Sequence, residues 1–264
     1  MAGPVLSLEG VTKRFGRVLV ADTLDLQVGD GEALGIIGPN GAGKTSLFSM
    51  ISGDLRPDSG TVRISGRDVT RLGAAARCRL GLGRTYQIPR PFEHMTVFEN
   101  VLVAVLQGSG LRGRVASAAA LRVLTRTGLA AHANLPAGRL TLLQRKRLEV
   151  ARALATGPRL LLLDEVAGGL TEPEVDELVT IIRSLRAEGI SVVWIEHVVH
   201  ALTGTVDRLV CLAGGSVIAE GEPESVLASK AVREVYLGGG LEVGDGHPLD
   251  AEGPGTGLAG EAVS

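Results

Sequence analysis

The chain has few cysteines, no long hydrophobic run and no excess of charge of one sign, and each shortage removes a class of protein. Its two cysteines, Cys78 and Cys211, stand far apart and outside any metal-ligand spacing, so they read as reduced thiols of a cytosolic protein. The longest apolar runs, Val101 to Leu106 and Leu160 to Leu163 among them, fall far short of the roughly 20 residues a membrane helix needs. Any membrane link must therefore pass through a partner. Lys and Arg number 27 against 29 Asp and Glu, a net charge of -2, which gives nucleic acid no bulk electrostatic attraction. No secretory leader is expected, because Met1 to Pro4 leads straight into the charged segment Glu9 to Arg17. What remains is a chain of 264 residues, 45% hydrophobic, long enough to bury a proper core as one large α/β domain or as a domain with a subdomain.

The stretch Gly38, Pro39, Asn40, Gly41, Ala42, Gly43, Lys44, Thr45 fits the phosphate-loop pattern G-x-x-x-x-G-K-[S/T] in full. It follows the apolar run Ala33 to Ile37 and precedes a helical pattern from Ser46 to Ser52, the context in which that pattern works. Backbone N–H groups freed by the glycines can wrap a di- or triphosphate, and the following helix points its positive end at the same place. Lys44 then lies against the β and γ phosphates, and the Thr45 hydroxyl is a ligand for Mg²⁺. Upstream, Val5 to Gly10 alternates like an edge strand. Phe15, some twenty-odd residues ahead of the loop, either stacks on an adenine ring or packs under a hairpin; its position does not distinguish the two.

A second signal lies downstream. Arg159 to Glu165 is a buried apolar strand with two carboxylates at its tip, the other half of an ATP-hydrolysing site. Asp164 would hold Mg²⁺ through water or Thr45, and Glu165 is placed to polarise a water against the γ phosphate. Ser191 to His197 reads as another buried strand, with the histidine at its carboxyl end. In parallel sheets ligands gather at those ends, so His197 would arrive beside the two carboxylates. Gly83 to Gln87 reads as a strand ending in an amide able to face Mg²⁺ and a water. Thr96 and Glu99 form a capping box opening a mostly helical insertion, while Leu140 to Glu149 runs into a helix from Val150 to Ala155. From Gly238 to Ser264 the chain is rich in Gly, Pro and acids, the composition of a disordered tail.

In this order the parts resemble the nucleotide-binding subunits of ABC transporters, across nearly the whole chain to Leu237. The segments Arg84 to Phe92, Met95 to Val101, and Gly221 through Gly238 resemble the ATP-binding subunits of branched-chain amino acid importers in particular. The resemblance implies an α/β fold of the ABC-type P-loop NTPase. It has a mostly parallel core sheet, an N-terminal antiparallel β subdomain and a helical subdomain inserted at about 93–139, the ATPase domain spanning 1–237. It implies ATP and Mg²⁺ as cofactors, with nucleotide held by Phe15 and by Gly38 through Ser46. Gln87 is then the Q-loop glutamine, Glu165 the general base, Val166 to Thr171 the D-loop and His197 the switch histidine. The metal would be held by Thr45, Gln87 and Asp164. The implied partners are transmembrane permease subunits, a second ATPase subunit whose ATP meets the signature loop Leu140, Thr141, Leu142, Leu143, Gln144, and indirectly an extracytoplasmic solute-binding protein. The implied location is the cytoplasmic face of the inner membrane.

Two segments depart from the family. The signature usually reads Leu-Ser-Gly-Gly-Gln, whereas here Thr141 replaces Ser and Leu142-Leu143 replace both glycines, with Leu143 expected to intrude where backbone should approach the partner's nucleotide. The D-loop has Val166 for Pro and Thr171 for Asp or Asn. An asymmetric heterodimer with a second ATPase follows as the expectation. Three functions fit: import of branched-chain or other hydrophobic amino acids, with amides or urea as related cargo; an ATPase for lipid or lipopolysaccharide export; and a soluble ABC-type ATPase acting on DNA or ribosomes. The single cassette, without tandem copy, zinc spacing or basic tail, weighs against the third.

Overall fold

Two sheets built from differently patterned strands carry the molecule, a computed structural model that describes residues 3–238. The first is antiparallel, in the order β2-β1-β4-β5, formed by β1 (Leu6–Phe15), β2 (Val18–Val28), β4 (Ser59–Ile64) and β5 (Arg67–Asp68). Its strands bury one face, as their alternation predicts. The expectation that Val5 to Gly10 forms an edge is corrected: Leu6 pairs with Val28 on one side and Ile64 on the other, so β1 is internal. Alternation reports which face is buried and says nothing of how many neighbours a strand has.

The second sheet, in the order β10-β9-β3-β8-β7-β6, comprises β3 (Ala33–Ile37), β6 (Leu82–Arg84), β7 (Leu160–Asp164), β8 (Ser191–Ile195), β9 (Arg208–Ala213) and β10 (Ser216–Gly221). All its pairings are parallel except β10 with β9. Its central strands are apolar throughout because both faces are covered. Leu160 and Leu162 enter the core beneath the antiparallel sheet, whereas Leu161 and Leu163 enter the core beneath the helices. This two-sided burial explains the unbroken leucine run of β7. Parallel pairing also brings the carboxyl ends of β3, β6, β7 and β8 to one edge.

Helix α1 (Lys44–Ser52) follows β3 and buries Leu47, Phe48, Met50 and Ile51 against the first core. Its C-terminal carbonyls are held by Arg77, on α2 (Ala74–Arg79). The buried guanidinium donates to Met50 O at 2.6 Å, Ile51 O at 2.8 Å and Leu72 O at 2.8 Å. A cation at a helix C-terminus is favourable, and removing it leaves buried carbonyls without donors. Arg77→Leu should therefore lower stability by on the order of 3 kcal/mol, read as a shift in the urea midpoint.

Between β6 and the second sheet's helical cover lie α3 (Val97–Ala104), opened by the expected Thr96–Glu99 capping box, and α4 (Gly113–Arg126). Helix α5 (Leu142–Ala155) begins eight residues before the expected start at Val150, because Thr141 and Gln144 form a second capping box. Helix α6 (Glu172–Ala187) covers the same face, α7 (Val199–Leu202) follows β8, and α8 (Pro223–Ala228) and α9 (Lys230–Gly238) end the described residues. The expected tail lies outside the described residues, save Gly238, which ends α9.

Candidate functional site

The phosphate loop leaves no room for side chains at two of its glycines. Gly38 has φ +152° and Gly43 φ +99°, and a Cβ on either would lie 2.2 Å from Leu212 O or 2.1 Å from Val20 O. The loop is thus pressed between β9 and β2. Lys44 folds back over it, donating to Gly38 O at 2.6 Å and Pro39 O at 3.0 Å. Burial lowers the pKa of this ammonium, against the opposing fields of Glu165, Cys211 and Asp164. Thr45 is exposed in the first turn of α1 and lines a cleft of about 700 Å³ together with Gln87, Arg84 and Asp164. Ser46 is half-buried behind it. Gly38 N–H is taken by the hydroxyl of Tyr236 on α9 at 2.9 Å, so that amide faces the protein.

Asp164 ends β7, buried, with its backbone N–H on Thr85 Oγ1 at 3.1 Å. Burial raises its pKa, while Arg84 opposes the rise through an ion pair of 3.2 Å. The next residue turns sharply: Glu165 adopts φ +48°, in the left-handed region, and its N–H reaches Ile195 O on β8 at 2.9 Å. That turn presents the Glu165 carboxylate between two partners. One oxygen accepts from the Gln87 amide and the other pairs with His197 Nε2 at 2.7 Å. Gln87, Glu165 and His197 therefore form one contiguous chain, with Asp164 beside it and Lys44 within its field. Gln87 arrives from an unexpected place: β6 stops at Arg84, so the glutamine stands three residues beyond the strand, on loop.

Phe15 is 50% exposed at the end of β1, with the Lys13 ammonium 5.4 Å from its ring centroid, which excludes packing under the hairpin. Its strand partner is Val18, two residues before the Val20 carbonyl that abuts Gly43.

The segment Leu140 to Gln144 is the start of α5. Thr141 Oγ1 accepts from Gln144 N at 3.3 Å, Gln144 Oε1 accepts from Thr141 N at 3.0 Å, and Gln144 Nε2 meets His132 Nε2 at 2.9 Å. His132 therefore buttresses this turn. The expectation placed the intruding side chain at Leu143. Leu143 is instead buried, and Leu142 is the outward residue at 44% exposure, leaning toward Gly169. Consecutive helical positions differ by about 100°, so the two leucines cannot share a face. Thr171 caps α6 with Glu174, a task that Thr, Asp and Asn share.

Three residues that the sequence reading passed over organise the site. Arg84 pairs with Asp164. Glu196, buried and with its pKa raised by burial, accepts from Ala167 N at 2.7 Å and Trp194 Nε1 at 3.1 Å, tying the turn after Glu165 to β8. Lys146, buried on α5, reaches two backbone carbonyls of the site. Only Glu196 carried a sequence signal, an acid inside an apolar strand end next to His197.

The donor set at the cleft, the Thr45 hydroxyl and the Asp164 carboxylate, consists of hard oxygen donors suited to Mg²⁺. Residues 21–168 match the family model described as ABC transporter, and residues 216–242 match that described as branched-chain amino acid ATP-binding cassette transporter. The chain is 36% identical over 253 residues to the high-affinity branched-chain amino acid transport ATP-binding protein BraF of Pseudomonas aeruginosa, covering 90% of this chain and 99% of that one. It is 37% identical over 239 residues to the lipopolysaccharide export system ATP-binding protein LptB of Acidithiobacillus ferridurans, with 90% and 99% coverage. Among solved structures, the ADP conformation of an ATP-binding cassette of an ABC transporter superposes with a TM-score of 0.80 at 30% identity, over 89% of this chain and 99% of that one.

Proposed function

The chain belongs to the ABC transporter family of ATPases, and from that premise we propose that it is the ATP-hydrolysing subunit of an importer for branched-chain or other hydrophobic amino acids. The observation that carries the chemistry is the Glu165 carboxylate held between Gln87 and His197 at the strand edge beside the phosphate loop. The loop amides and Lys44 bind the phosphates, and Thr45 Oγ1 and the Asp164 carboxylate are the oxygens assigned to Mg²⁺, which would neutralise phosphate charge during transfer. Glu165 takes the proton of the attacking water, His197 and Gln87 keep that carboxylate and the water in place, and Phe15 is assigned to the base.

No helix among the described residues is long and apolar enough to cross a membrane, so transport requires membrane subunits. The mouth of the cleft at Gln87 is their assigned dock: Tyr86 and Ile88 line it at 51% and 66% exposure, and Phe92, further along the same loop, is 46% exposed. Docked there, the chain is assigned a peripheral position on the cytoplasmic face of the inner membrane. Leu142, facing outward at the signature, favours pairing with a second, different ATPase over a homodimer. The match to LptB supports an alternative in lipopolysaccharide export. The match of 216–242 to the branched-chain cassette model favours amino acid import.

Isolation of the tagged chain with its membrane partners tests all of this. A second ATPase subunit and two permeases should co-purify, and reconstituted vesicles should accumulate leucine or valine on ATP addition when the associated receptor is present. Vesicles that take up none, with fast cooperative hydrolysis by the chain alone, would remove both the cargo and the heterodimer.

A further inference from the structure

Helix α5 grips the loop that carries Gln87 at three points. Lys146, Glu149 and Arg152 recur every third residue and so share one face of the helix. Lys146 Nζ donates to Gln87 O at 3.0 Å, Glu149 Oε1 accepts from Arg90 N at 3.0 Å, and Arg152 Nη1 donates to Arg90 O at 2.8 Å. The main chain from 87 to 90 is therefore pinned at both ends by one helix. Lys146 makes a further bond that the other two do not, to Glu165 O at 3.0 Å.

Lys146 is only 4% exposed and makes no direct ion pair among the described residues; burial lowers its pKa, against the more distant fields of Glu196, Glu165, Asp164 and Glu149. Burying a cation without an ionic partner is costly, and a methionine would fill the same space without that cost. The ammonium's two bonds go to the backbones of the two residues whose side chains bond each other, Gln87 and Glu165. We propose that Lys146 is a positioning residue for hydrolysis, fixing the Gln87–Glu165 spacing through their carbonyl oxygens and carrying displacements of α5 to both side chains at once. The inference rests on the reading of Glu165 as general base. It assigns α5, the helix capped by Thr141, a mechanical hold on the site of its own subunit.

The test uses the transporter complex isolated through this chain, with Lys146→Met, Lys146→Arg and Glu165→Gln variants, a fluorescent ATP analogue for affinity, and steady-state hydrolysis. Lys146→Met should leave nucleotide affinity and KM within about twofold while kcat falls on the order of 10- to 100-fold, the range for misplaced catalytic groups. Lys146→Arg, which keeps donors for both carbonyls, should recover most of kcat. If Lys146→Met does not fold, Lys146→Gln replaces it, with a kcat between those of the wild type and Glu165→Gln. A methionine or glutamine variant at wild-type kcat overturns the proposal, as does one that loses affinity, melting temperature and kcat together with no rescue by arginine. If Glu165→Gln leaves turnover untouched, the base assignment falls and Lys146 with it. If Glu165→Gln stops turnover and the Lys146 variants do not slow it, the positioning role alone fails.

Discussion

A Glu165→Gln variant binds ATP and hydrolyses almost none of it. The substitution keeps the length and shape of the side chain, and its amide oxygen can still accept from His197 Nε2, which stands 2.7 Å from the native carboxylate. Gln87 can rotate its own amide to meet the new one. What disappears is an oxygen able to take a proton from water. General-base catalysis contributes about 10²- to 10⁴-fold, so kcat should fall by that factor with affinity preserved. Single-turnover phosphate release, compared with retention of labelled ATP on a filter, separates the two quantities. Wild-type release from the variant would take Glu165 out of the role of base.

Lys44→Ala, in contrast, fails at binding. The ammonium's charge-assisted bond to phosphate contributes about 1.5–3 kcal/mol, which corresponds to roughly a 10- to 150-fold rise in Kd. The loop suffers as well, because Gly38 O and Pro39 O lose the donor that Lys44 supplies at 2.6 and 3.0 Å. Titration calorimetry with ATP reads the loss directly. An alanine variant with unaltered affinity would mean that the ammonium serves the loop and leaves the nucleotide to the amides. The two variants thus separate along the reaction coordinate, one before chemistry and one at it.

Much of the site is legible in the sequence because its parts are short-range patterns. Eight consecutive residues specify the phosphate loop, and apolar runs ending in Asp164-Glu165 and near His197 are strand tips that a parallel sheet must bring to one edge. What the sequence hides is set by contacts between distant segments. Lys146 and Gln87 are 59 residues apart, Arg84 and Asp164 are 80 apart, and no local periodicity connects either pair. A lysine in the helical stretch after Gln144 reads as a solvated charge until the loop at Gln87 is laid against it. The start of α5 was readable, since Thr141 and Gln144 have capping-box spacing, but the signature pattern drew the reading toward phosphate contacts instead of helix initiation. The exchange between Leu142 and Leu143 has the same origin: a loop has no fixed faces, and a helix does.

The φ of +48° at Glu165 has a bearing on engineering. A left-handed backbone costs a residue with a Cβ on the order of 1 kcal/mol that glycine avoids. Redesign guided by folding stability alone would therefore favour Gly at position 165 and delete the reactive oxygen atoms in the same stroke. The most stable version of this turn and the working version are different sequences, and thermostabilising libraries for this protein should hold position 165 fixed.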